Sequence, residues 1–110
     1  MGQFIKGDVL VIPCPFSDLS NNKKRPALVV ASLSRDDVIL CQITSKAKSD
    51  AYALPLASDD FATRPLNQES FIRPNRLFTA ASRIVLYKIG RLKSDVMGQV
   101  TQKVIEILKN

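Results

Sequence analysis

The chain has 110 residues, 45% of them hydrophobic and 24% charged, and its 16 Lys and Arg against 10 Asp and Glu leave a formal net charge of +6. That length suits one domain over residues 1–110, able to bury roughly two-thirds of the surface its unfolded chain would expose. Histidine is absent and cysteine occurs only twice, which removes the commonest general base, the usual catalytic triads and an ordinary zinc site.

The opening "MGQFIKGDVLVIP" has no signal-peptide architecture, because Lys6 and Asp8 interrupt its apolar run. No apolar stretch is long enough to cross a bilayer, so a cytoplasmic protein is the expectation, with no membrane partner. "DVLVIP", residues 8–13, is rich in Val and Ile and ends at Pro13, which predicts a strand. Residues 15–22, "PFSDLSNN", read as a polar loop.

"KKRPALVV", residues 23–30, joins three cations to an apolar run. Pro26 fixes its own φ and biases Arg25 toward an extended backbone, so the junction is stiff. Arg25 is expected at the first residue of a strand. Two readings stay open there: a solvated loop end that keeps strand edges from pairing, or an anion site. "PALVVASL" and "DVILCQIT" form a hairpin through "SRDD". Cys14 and Cys41 fall on strand-like segments and are expected as reduced core or near-core residues.

"AYALPLA", residues 51–57, predicts a further strand, with Pro55 pointing to an edge or a bulge. "ESFIR" and "RLFTA" predict two short strands around Pro74. Residues 83–92 predict a strand, or a strand and a turn at Gly90. From Ser94 onward the period changes: Met97, Val100, Val104 and Ile107 recur at helical steps. Ser94 reads as the N-cap and Asp95 suits the helix dipole. Short strands with one terminal helix describe a mainly β fold, a small bent sheet or barrel closed by a helix.

Most of the positive charge sits at 23–25, 46–48, 73–76 and 88–93, away from the acidic pairs at 36–37 and 59–60. A directed basic surface on a small protein suits a phosphate-bearing partner.

At this point "KGDVLVI", "KKRPALVV", "CQITSK", "NRLFT" and "IGRL" together resemble the MazF/PemK toxins of bacterial toxin–antitoxin systems, over nearly the whole length. The resemblance implies a PemK-like barrel related to SH3 folds, a homodimer and a cognate antitoxin. It also implies metal-free, cofactor-free, sequence-selective cleavage of single-stranded RNA. The family's arginine before proline maps onto Arg25 and the threonine of its Thr-Ser onto Thr44, the two catalytic positions. A further arginine maps onto Arg73, but the aspartate that some relatives carry nearby is Asn75 here. The glutamate many relatives hold in the loop before the arginine is also missing, and Asp18 is the nearest acid and the candidate base.

Metal-free RNA cleavage uses the neighbouring 2′-hydroxyl as nucleophile, already held in place by the substrate. An arginine fork suits the charge that builds on the phosphate, and Thr44 offers a hydroxyl donor. Lys23, Lys24, Ser45, Lys46, Arg73, Asn75 and Arg76 are the expected RNA contacts. Phe16, set in a polar loop, is the best candidate to stack on a base, while Phe71 and Phe78 suit the core. The alternative is a non-catalytic protein on the same fold: a module that binds RNA or antitoxin without cutting, or a gyrase poison resembling the CcdB toxins. The latter end in a Trp-Gly-Ile motif, whereas this chain ends "VIEILKN" and has no tryptophan.

Overall fold

The computed structural model describes residues 4–13, 24–45, 50–63 and 69–110. Six strands form one curled antiparallel sheet, a half-barrel closed by a C-terminal helix. They are β1 (Asp8–Pro13), β2 (Lys24–Ser32), β3 (Asp37–Thr44), β4 (Leu54–Leu56), β5 (Ser70–Ala81) and β6 (Tyr87–Arg91), followed by α1 (Ser94–Lys109). The spatial order is β4-β5-β3-β2-β1-β6. Among the described residues no helix is long and apolar enough to cross a membrane.

Side chains alternate between the faces of a strand, so one sheet supports two apolar clusters. On the first face Val9, Leu28, Cys41, Ile43 and Ile72 pack with Met97 and Val100 of α1. On the second, Leu10, Ile12, Ala27, Val29, Val38, Leu40 and Ala80 are covered by Phe4, Phe78 and Val85. β2 and β3 join through a tight turn in which Arg35 and Asp36 adopt left-handed φ of 61° and 65°. Two left-handed residues give a turn whose twist matches that of the flanking strands. Gly7 (φ 101°) donates to Val29 O and accepts from Leu92 N, both at 2.9 Å, and a Cβ there would lie 3.4 Å from Met97 Cγ. Asp8, only 1% exposed, receives Ile5 N, Arg91 Nε and Lys88 Nζ at 2.9, 3.0 and 3.2 Å, which ties the entry of β1 to β6.

Four sequence expectations need correction. β5 is one strand of 12 residues, not two around Pro74. Gln42 pairs with Arg73 and Cys41 with Leu77, so residues 74–76 bulge out of the ladder, where a proline's missing N–H costs nothing. Gly90 lies inside β6, paired with Val9 at a second bulge, and the turn comes earlier, at Ser82–Ile84. The strand expected over 51–57 shrinks to Leu54–Leu56, because Asp50 caps a turn at 51–52; its edge position agrees with Pro55. Finally, Lys93 is the N-cap of α1, and Ser94 is its first helical residue.

Cys41 is a free thiol with no exposed surface; Cys14 lies outside the described residues. Burial pushes the Cys41 thiol up to about 12. Because an unfolded thiol ionises near pH ~8.5, this group's contribution is fully present below that pH and is lost as pH rises toward the folded value. The slope is about 1.4 kcal/mol per pH unit in that window. Denaturant unfolding at pH 8 and pH 10 should therefore show the parent losing about 2 kcal/mol more than a Cys41→Ala variant. Equal losses in the two proteins would contradict the buried placement.

Candidate nucleic-acid interface

The second face of the sheet changes character along its length. Near the β2–β3 turn it is the apolar cluster around Val29 and Leu40; toward the other end its positions become polar. Arg25 is level with Ile12 on β1, and Ala27 with Gln42 on β3. Extending the β2–β3 register by two residues puts Arg25 level with Thr44. On the far side of β3, Gln42 pairs with Arg73 and Thr44 with Phe71. Cross-strand partners share a face, so Arg25, Gln42, Thr44, Phe71 and Arg73 form one contiguous patch.

Arg25 is the second residue of β2, not the first, with exposed Lys24 before it. It is half-buried, and its Nε is enclosed with no hydrogen-bond partner among the described residues. An enclosed, unsatisfied charged donor is costly, more than the ~1–3 kcal/mol typical of a neutral group. Such a group is tolerated where an anion completes it. Thr44 closes β3, half-buried, and exposed Ser45 follows it.

Arg73 donates from Nε to Asp50 Oδ2 at 2.6 Å, while Tyr52 N donates to Asp50 Oδ1 at 2.9 Å. The Asn75 side chain also bonds this carboxylate. Burial raises the Asp50 pKa, but the bond from Tyr52 N, the bond and charge of Arg73 and the bond from Asn75 outweigh it, so the net shift is downward. Asp50 is absent from the sequence reading. It stands 23 positions before Arg73, and no local pattern announces a contact made across a loop and a bulge.

Exposed Asn75 and Arg76 belong to the bulge, where they line a hollow of about 170 Å³ with Gln42, Leu77 and Phe78. Phe78 is half-buried against the second cluster, as expected, whereas Phe71, paired with Thr44 and half-buried, belongs to neither apolar cluster, contrary to the expectation that it suits the core. The expected contacts Phe16, Lys23 and Lys46 and the candidate base Asp18 lie outside the described residues. Among the described residues no three Cys, Asp or Glu side chains gather closely enough to share a metal ion.

A curled six-stranded half-barrel with a closing helix is an architecture already seen in solved structures. An endoribonuclease in complex with its cognate antitoxin from a mycobacterial species superposes with a TM-score of 0.74 at 14% identity, covering 96% of this chain and 95% of that one. MazF from Deinococcus radiodurans superposes at 0.71 and 17% identity, covering 100% and 99%. The Mycobacterium tuberculosis toxin MazF-mt6 superposes at 0.67 and 17% identity, covering 93% and 96%. At such identities the likeness establishes the fold. The family follows from the sequence itself: residues 5–108 match the model of the PemK-like, MazF-like toxins of type II toxin–antitoxin systems, and the chain belongs to that family. No curated protein matches it in sequence.

Proposed function

We propose that this protein is an endoribonuclease toxin, one domain over residues 1–110, that cuts single-stranded RNA at selected sequences without a metal and is neutralised by a cognate antitoxin. The observation that carries the reading is the Nε of Arg25, enclosed and without a partner among the described residues, on the same sheet face as Thr44. Family membership and the endoribonuclease and antitoxin-complex neighbours support the RNA substrate and the antitoxin.

In this reaction the 2′-hydroxyl attacks the adjacent phosphorus and the 5′-oxygen leaves, giving a 2′,3′-cyclic phosphate and a 5′-hydroxyl. Arg25 meets the nonbridging oxygens as charge builds on them, and the Thr44 hydroxyl donates a further hydrogen bond. Lys24, Ser45, Arg73, Asn75 and Arg76 contact the strand on either side, and Phe16, Lys23 and Lys46, outside the described residues, are proposed as further contacts. Asp50 is a poor base, because its oxygens accept three hydrogen bonds and its pKa is lowered. Asp18 remains the candidate for that proton. A groove shared by two copies would let so small a body grip several nucleotides, so the working form is a homodimer.

Incubating the protein with a long single-stranded RNA in excess EDTA tests this directly. Cutting is expected to continue, with new ends carrying 5′-hydroxyls and 2′,3′-cyclic or 3′-phosphates. Cutting that stops on chelation, or ends bearing 5′-phosphates, would overturn the mechanism. Sedimentation of the same preparation as a monomer at about 10 μM or above would remove the dimer.

A further inference from the structure

We propose that Asp50 is a positioning residue that aims Arg73 at the RNA backbone beside Thr44, an assignment that rests on the ribonuclease reading above. The Asp50 side chain is only 7% exposed and that of Arg73 20%. Both carboxylate oxygens are committed, one to Tyr52 N and one to Arg73 Nε, with Asn75 as a further donor. The guanidinium is therefore held by its Nε edge, and in this assignment its Nη edge meets the phosphate. Arg73 is also the diagonal cross-strand neighbour of Thr44, at a spacing of about 7–8 Å, close to that between consecutive phosphates along a strand.

Stability alone is a weak reason for this arrangement, since a largely buried ion pair often contributes little net energy. Orientation is a better one. An unanchored arginine samples many rotamers, whereas one fixed by a carboxylate presents its fork in a single direction and loses less on meeting the substrate. The same carboxylate pins the turn that carries Tyr52, a residue 46% exposed.

Electrostatics and positioning predict opposite results for Asp50→Asn. Removing a negative charge beside a nucleic-acid surface should by itself tighten binding. Positioning predicts that cleavage of a mixed-sequence transcript slows about 10-fold or more in kcat, with KM unchanged or lower. Because Asp50 acts through Arg73, the double variant Asp50→Asn/Arg73→Ala should cut no more slowly than Arg73→Ala alone. A folded Asp50→Asn protein cutting at the parental rate, or a double variant losing the product of both single effects, would overturn the assignment. Should Asp50→Asn fail to fold, nitrogen-15 NMR of the parent decides. The Arg73 Nε–H resonance is expected to be protected from exchange when other arginine signals have broadened away, and its absence would refute the anchor. If the parent leaves every transcript intact, the ribonuclease reading fails and the positioning role falls with it. A parent that cuts beside an Asp50→Asn variant that cuts equally fast removes the positioning role alone.

Discussion

Replacing Arg25 by alanine is expected to slow RNA cleavage about 100-fold or more, the scale seen when one preorganised donor to a developing charge is removed. The loss should fall mainly on kcat, because the interaction strengthens as charge builds on the phosphate. Arg25→Lys is the discriminating variant: it keeps the charge and loses the planar fork, and it should recover little of the rate. Lys24→Ala should behave differently, since an exposed ammonium contributes mainly attraction. It should weaken RNA binding modestly and reduce the salt slope by about one unit or less. Stability provides a second readout. The enclosed Nε of Arg25 has no partner among the described residues, so Arg25→Ala should leave the melting temperature unchanged or raise it slightly. Arg25→Lys cutting at the parental rate would reduce Arg25 to one more cation in a solvated run.

The elements legible in the sequence are those whose pattern is local. β1, the β2–β3 hairpin and α1 each carry their own period and stop signals, and they stand where that periodicity places them. β5 was not legible as one strand, because Pro74 reads as a break until the ladder is seen to skip residues 74–76. Gly90 misleads in the same way, since a bulge opposite β1 accommodates it within β6. Arg25, Thr44 and Arg73 were named by resemblance to a family. Their shared face depends on registers across three strands, which no window of sequence contains. Asp50 was missed for a related reason: it looks like a loop acid until the fold brings Arg73, Asn75 and Tyr52 N to it.

Leu28 allows the scaffold to be tested apart from the site. It is completely buried, level with Val9 on one side and Cys41 on the other, at the centre of the cluster that α1 covers. Leu28→Ala should cost about 3 kcal/mol or more, the transfer term plus a cavity that the two flanking strands and α1 cannot collapse around. For a domain of this size that is a large share of a total of roughly 5–15 kcal/mol, and the melting temperature should fall by about 12 °C or more. Yet Leu28 is three residues from Arg25 on the same strand, so the two side chains project from opposite faces of the sheet. Cleavage measured well below the lowered midpoint should therefore stay within about twofold of the parent, because the backbone holding Arg25 is fixed by its ladder to β1. A fall of under about 4 °C would mean that the first-face cluster is not packed as described. A full fall in melting temperature with a hundredfold loss of cleavage in the folded variant would mean that the site draws its geometry from the first-face cluster as well as from the ladder.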